Sequence, residues 1–178
     1  MIWLNGTFGV GKSSTADELL RRIPGSRRYD PEEVGFLLRQ LLPETAGGDF
    51  QDIPAWRYLV AETAVALHAH TGAQLITPMT LLRKRYADEI FDAIAGHGLS
   101  ITHILLHANT QCLRDRITGH NMFPEDPQHN QRVQAWRLDH LPDYADALPW
   151  LRTSAHVIDT THLNSAQAAD AVLRLLAM

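Results

Sequence analysis

Cysteine is nearly absent: Cys112 is the only one in 178 residues. That excludes an internal disulfide framework and predicts a small, buried apolar residue in a reducing compartment. An excess of basic charge is missing too, since 16 lysines and arginines face 20 acids for a formal net charge of -4. The arginines are scattered along the chain, so the clustered basic footprint of a nucleic-acid binder is not there. No apolar run approaches the length of a transmembrane helix. The opening "MIWLNG" has neither a basic leader nor a long apolar stretch, which predicts a cytoplasmic protein without a secretory signal. No amphipathic basic helix offers a membrane anchor, which leaves peripheral contact as the one kind of membrane contact open. The ten histidines lack metal-ligand spacing. His68 and His70 fall on different faces of a helix, and His103 and His107 lie in a strand.

Short apolar runs alternate with segments of helical period. That pattern, in a chain of this length, predicts one α/β domain over residues 1–178. Strands are expected at Ile2 to Leu4, Ser26 to Tyr29, Ala73 to Thr77, Ile101 to His107 and His156 to Ile158. Helices are expected from Gly11 to Pro24, after Asp30-Pro31, from Pro54, through Ala87 to Ile94, from Thr110 to Thr118, near Arg132 to His140, and from Ser165. The second helix would bury Val34, Leu37, Leu38 and Leu41, and the third Trp56, Leu59, Val60, Thr63 and Leu67. "ETAGGDFQDI" reads as a loop, and "GHNMFPEDPQHNQ" as a mobile polar excursion. Right-handed crossovers would put helices on both faces of a parallel sheet, with ligands beyond its carboxyl edge.

The most specific stretch follows the first strand. Gly6, Thr7, Phe8, Gly9, Val10, Gly11, Lys12 and Ser13 fit the phosphate-loop pattern G-x-x-x-x-G-K-[ST], and Ser14 continues it. Glycines let the loop fold back and turn its backbone N–H groups toward an anion, and the helix start adds its positive dipole end. Lys12 is expected to reach the β- and γ-phosphates, and the Ser13 hydroxyl to hold Mg²⁺. ATP is the expected nucleotide, because no N-K-x-D guanine-reading sequence occurs.

Asp30 follows the second strand and is expected beside this loop. A carboxylate there can take the proton of an acceptor hydroxyl, cap its helix, or hold Mg²⁺ through water. The last possibility matters because "LITPMT" places no acid after the third strand for the usual metal contact. Around the polar excursion, residues 114–140 carry Arg114, Arg116, Arg132 and Arg137, the makings of a lid over a triphosphate. Arg116 is the first choice among them for catalysis.

Taken together, "WLNGTFGVGKSSTADEL", "YDPEEVGFLLR", "DFQDIPAWR" and "LITPMTLL" resemble the tunicamycin-resistance family of bacterial ATP-binding proteins, in order and spacing. The resemblance is strongest up to Phe91; beyond it only "LRDR" and "VIDTT" match. The layout is also similar to nucleoside-monophosphate-kinase-like phosphotransferases, including the chloramphenicol phosphotransferases. That similarity implies a three-layer α/β/α fold with a five-stranded parallel sheet of order 2-3-1-4-5, and Asp30 as catalytic base. His120 departs from it, standing where an arginine is expected. The resemblance implies an antibiotic ligand, a uracil nucleoside carrying sugars and an acyl chain. Phe36, Arg39, Gln51, Trp56, Arg57 and Thr80 are the candidates for its pocket. Three functions are compatible with these residues: phosphoryl transfer to tunicamycin or a related drug, phosphorylation of an ordinary sugar or nucleotide metabolite, and ATP-dependent drug sequestration without chemistry.

Overall fold

The computed structural model describes residues 1–43 and 48–177. Five strands, β1 (Ile2–Asn5), β2 (Arg27–Arg28), β3 (Leu75–Pro78), β4 (Thr102–His107) and β5 (His156–Asp159), alternate with eight helices. These are α1 (Lys12–Arg22), α2 (Pro31–Leu41), α3 (Pro54–Thr71), α4 (Lys84–Gly96), α5 (Thr110–Gly119), α6 (Pro127–Asp139), α7 (Leu141–Ser154) and α8 (Ser165–Leu176). The sheet is parallel throughout, in the order β2-β3-β1-β4-β5. This is a three-layer phosphate-loop kinase fold.

The central strand shows why the order is stable. All four residues of β1 are buried. Ile2 and Leu4 join a core with Leu19 of α1, Leu151 of α7 and Val172 of α8. Trp3 points the other way, into a core with Val60 of α3 and Ile90 of α4. Side chains of a strand alternate faces, so one apolar run serves both layers. β2 is the opposite case: it forms an edge, and both of its arginines are exposed. A charged two-residue edge discourages pairing with another sheet.

Several boundaries differ from those the sequence predicts. Of the segment read as one loop, residues 44–47 lie outside the described residues, and Phe50–Asp52 form a 3-10 turn. The second half of the expected excursion is helical, because Asp126 caps α6 and Pro127 starts it. α7 is not anticipated by the sequence reading at all. It carries Pro149 inside, yet buries Leu141, Tyr144, Ala147 and Leu151 on one stripe. Helical stripes also shift. α2 buries Val34, Gly35 and Leu38 and leaves Leu37 and Leu41 exposed. The cause is Phe50, whose ring lies where a Cβ on residue 35 would go. α3 buries Trp56, Arg57, Val60, Ala61 and Ala64 and exposes Leu67. Among the described residues, no helix is long and apolar enough to cross a membrane.

Candidate functional site

β1 delivers the phosphate loop through a single polar side chain. Asn5 is fully buried, and its Oδ1 accepts from the N–H of Gly6 (2.7 Å) and of Leu81 (2.8 Å). Its Nδ2 donates to the Leu81 carbonyl (2.9 Å) and to Nε2 of His103 (3.2 Å). The amide therefore ties the loop to the segment after β3 and to β4. His103 completes the link by donating from Nδ1 to the Ser154 carbonyl (3.2 Å), a tautomer that both contacts require. Burial lowers the His103 pKa to about 4, so the ring stays neutral.

Gly6 has φ 135°, and a Cβ there would collide with the Leu106 carbonyl oxygen. Gly11, with φ 93°, is the N-cap of α1 and has no side chain to satisfy the first amides of that helix. Those free N–H groups and the helix dipole face the cleft and suit an anion. Lys12 donates Nζ hydrogens to the carbonyls of Gly6 (2.9 Å) and Thr7 (3.0 Å), which holds its ammonium over the loop. Burial pushes its pKa down to about 8, with Arg137 acting the same way and Glu32 opposing. Thr7 is fully buried, and its hydroxyl has no partner among the described residues.

The cleft over the loop holds about 660 Å³. Thr7 to Thr15, with the exposed Ser13 and Ser14, form its floor. Arg116, His120, Arg137, Thr160, Leu163 and Ala168 are among its walls.

Arg116 does not stand in the place expected of it. Its Nη1 points to the carbonyl of Gly9 (3.3 Å) and the hydroxyl of Thr160 (3.4 Å). Its Nη2 donates to the carbonyls of Thr160 (2.7 Å) and Leu163 (3.2 Å). With these donors engaged, the guanidinium bolts the phosphate loop to the segment after β5 rather than offering itself to a γ-phosphate. Arg114 and Arg132 are exposed and do not line the cleft. Of the four lid arginines, Arg137 reaches into the cleft with its Nε buried and, among the described residues, without a partner, and burial lowers its pKa.

Asp30 caps α2, accepting from the N–H of Glu32 at Oδ1 (3.2 Å). Its Oδ2 pairs with Arg28 (3.2 Å), which also holds Asp17 of α1 (3.0 Å). Both oxygens are therefore engaged. The carboxylate left free is one that the sequence reading passed over. Glu32 makes no hydrogen bond or ion pair through its side chain among the described residues, and Lys12 and Arg137 both act on its charge. Desolvation and then Asp30 raise its pKa against the pull of those cations. Its signal in the sequence was only its place two residues after Asp30, where first-turn acids commonly serve the helix dipole.

On the far side of the loop, the Thr80 hydroxyl donates to the Gly6 carbonyl (2.8 Å), and the Thr80 backbone carbonyl accepts from Nε2 of Gln51 (3.1 Å). Phe36 is 46% exposed. Arg39 donates to the Gly48 carbonyl (3.0 Å) and lies over the ring of Phe50. Trp56 and Arg57 differ from their expected role as pocket wall. Trp56 is fully buried and donates to the Pro31 carbonyl (3.0 Å), so it is core. Arg57 is buried too, paired with Glu89, stacked on Tyr86 and bonded to the Gln51 carbonyl (2.6 Å). It fastens the 3-10 turn to α3 and α4.

No protein-family model matches the chain. Among curated proteins it is similar to the thymidine kinase of Feline herpesvirus 1, 34% identical over 89 residues that make up 47% of this chain and 26% of that protein. The chain thus spans about a quarter of the length of the curated relative it matches. Among solved structures it is similar to the Deinococcus radiodurans tunicamycin resistance protein, with 26% identity, a TM-score of 0.71, and coverage of 99% of this chain and 95% of that one. A gluconokinase from Sinorhizobium meliloti 1021 shares the fold, with a TM-score of 0.64 and 18% identity over 99% of this chain and 90% of that one. The likeness to the tunicamycin resistance protein therefore extends past Phe91, through the half where the sequence resemblance is thin.

Proposed function

We propose that this chain is an ATP-dependent small-molecule phosphotransferase that moves the γ-phosphate of ATP to a hydroxyl of tunicamycin or a related nucleoside antibiotic. The observation that carries the reading is the pair of cations at the phosphate loop, Lys12 and Arg137, both over the Phe8 ring, with the Glu32 carboxylate near enough to act on their charge. Two cations suit a phosphoryl group in transit, and one unpartnered carboxylate suits an acceptor hydroxyl. A tunicamycin resistance protein and a thymidine kinase among the relatives point to an acceptor with a nucleoside part.

The residues present also fit Mg²⁺. That ion, shared with phosphates and water, needs one or two protein oxygens. The exposed Ser13 hydroxyl fits as a direct ligand, and Asp30, held in place by Arg28, fits as a partner through water. When bound, the ion would neutralise charge on the β- and γ-phosphates. Thr80, not an acid, follows β3, and its hydroxyl is spent on the loop.

In the transfer, the acceptor oxygen forms a bond to the γ-phosphorus as the bond from that phosphorus to the β,γ-bridging oxygen breaks. ADP leaves, and the acceptor proton passes to Glu32. Lys12 and Arg137 stabilise the equatorial oxygens, and Thr80 and Gln51 line the acceptor side.

Incubation with Mg·ATP and tunicamycin, followed by mass spectrometry, tests the reading, with a phosphorylated drug as the expected product. The occupied oxygens of Asp30 favour a second reading, ATP-dependent sequestration. Intact drug bound tightly only with ATP would establish that instead. If transfer occurs, Glu32→Gln lowers turnover about 10²–10⁴-fold with ATP binding retained. Asp30→Asn, which keeps the cap, costs less. The reverse order would return the proton-accepting role to Asp30.

A further inference from the structure

Phe8 sits in the middle of the phosphate loop, and its aromatic side chain, which cannot bond a phosphate, meets other groups. Trp136 of α6 meets it edge-on at 5.0 Å between centroids, and His140 does so at 6.4 Å. The Arg137 guanidinium lies 5.4 Å from the ring centroid and the Lys12 ammonium 5.8 Å. Both cations are within the range at which a ring quadrupole attracts them. Elsewhere α6 is held by Leu138, which is partly buried against the core, and by two polar side chains. Asn130 is its one buried residue, and that side chain is used on the turn before it, accepting from the N–H of Met122 (2.8 Å). Gln134 adds two contacts to the carbonyls of Thr118 and His120, again toward α5. Leu138 fixes that turn of the helix against the core, and the Phe8 ring is what meets Arg137 itself.

We propose that Phe8 is a positioning residue, an aromatic platform on the phosphate loop that docks α6 through Trp136 and sets Arg137 beside Lys12, so that the protein tells a nucleoside triphosphate from a diphosphate. The inference rests on the nucleotide-binding reading above. Two like charges repel when they are brought to one place, and the ring between them offsets part of that cost. The buried, unpartnered Nε of Arg137 fits a group that awaits an anion. Phosphate bound by Lys12 then gains Arg137 only if α6 stays docked on Phe8.

The test compares dissociation constants for Mg·ADP and for Mg·AMPPNP, a non-hydrolysable triphosphate, by titration calorimetry. In the unaltered protein the triphosphate should bind more tightly. Phe8→Ala should shrink that ratio by about 10-fold, the scale of 1.4 kcal/mol. Phe8→Tyr, which keeps the ring, should restore it. Arg137→Ala should shrink the ratio similarly, and the double variant should be no worse than either single one. Trp136→Ala, a change at a half-exposed site, removes the other side of the stack and should act in the same direction, so the question survives if Phe8→Ala fails to fold. A ratio that stays constant in Phe8→Ala and Trp136→Ala, whether or not both affinities fall, overturns the proposal. An unaltered protein that binds neither nucleotide overturns the nucleotide reading itself, and the two failures are thereby told apart.

Discussion

The two walls of the nucleotide cleft are built differently. The floor is the end of β1 and the start of α1, where all four strand residues are buried and Asn5 spends each of its amide groups on a neighbouring segment. The far wall includes α6, which has one buried residue, Asn130, a single leucine, Leu138, packed on the core, and the contact of Trp136 with Phe8. A phosphate cradle must be set before the ligand arrives, because preorganised donors need no rearrangement at the moment of reaction. A wall that brings a cation over the transferring group must let substrate in and product out, and such elements come from the low-stability end of a fold. The floor is therefore a problem of folding, and the α6 wall a problem of docking.

The largest effect should come from breaking the floor. Asn5→Ala strands the N–H groups of Gly6 and Leu81 in a buried place, and each such loss is worth about 1–3 kcal/mol. Urea unfolding should show a total loss of roughly 3–5 kcal/mol. A loss below about 1 kcal/mol would mean that water reaches these groups and that the floor is not the rigid wall.

Acid should find the same wall. The folded protein holds His103 neutral, with its pKa lowered to about 4 against an ordinary 6.5. Below 6.5 the unfolded chain takes up a proton that the folded chain refuses, so stability falls as pH drops from 6.5 to 4 and levels off below. The full contribution is about 3 kcal/mol, at 1.36 kcal/mol per pKa unit. Thermal or urea unfolding across that window should show the slope, and His103→Asn should flatten it. An unchanged slope in the variant would assign the acid sensitivity to other groups.

α6 should respond on a smaller scale. Asn130→Ala removes the acceptor for the Met122 N–H, worth about 1 kcal/mol. Hydrogen exchange should show the loss confined to residues 120–139, with amides of β1 and α1 as protected as before. A loss shared by β1 would join the two walls into one cooperative unit and end the contrast.

The floor was legible in the sequence because its signals are local. Three glycines, a lysine and a serine in eight residues state their own geometry, and Asp30-Pro31 states a helix start. The α6 wall was legible only in its second half, where a helix near Arg132 to His140 is expected; its start was not, although Asp126-Pro127 repeats the same cap and proline. That pair lies in a polar stretch without an apolar stripe, so the periodicity that confirmed α2 is absent. α7 has Pro142 in its first turn and Pro149 inside it, and an internal proline is ordinarily the mark of a helix end. Arg116 was misplaced for another reason. Its partners are backbone carbonyls some 44 residues away, and a carbonyl leaves no mark on a sequence. Glu32 was obscured by Asp30, the more conspicuous acid of the same turn.

The smallest effect is the sharpest check on which arginine matters. Arg114 and Arg132 lie in the segment read as a lid, and both are exposed and outside the cleft lining. Arg137 is about 1.4 turns from Arg132 on the same helix, so the two differ in direction and not in charge. If net positive charge over the cleft were what counts, replacing Arg132 would weaken triphosphate binding as much as replacing Arg137. Placement predicts otherwise: Arg114→Ala and Arg132→Ala should each stay within about 0.5 kcal/mol of the unaltered protein in stability, as ordinary surface substitutions do. Mg·AMPPNP affinity should move by less than about 2-fold, since exposed charges are screened by salt. Titrations at low and at physiological ionic strength decide it. A fall for Arg132→Ala that persists at physiological salt would mean that α6 works by its field as a whole, and the docking of one side chain on Phe8 would no longer be needed to explain the wall.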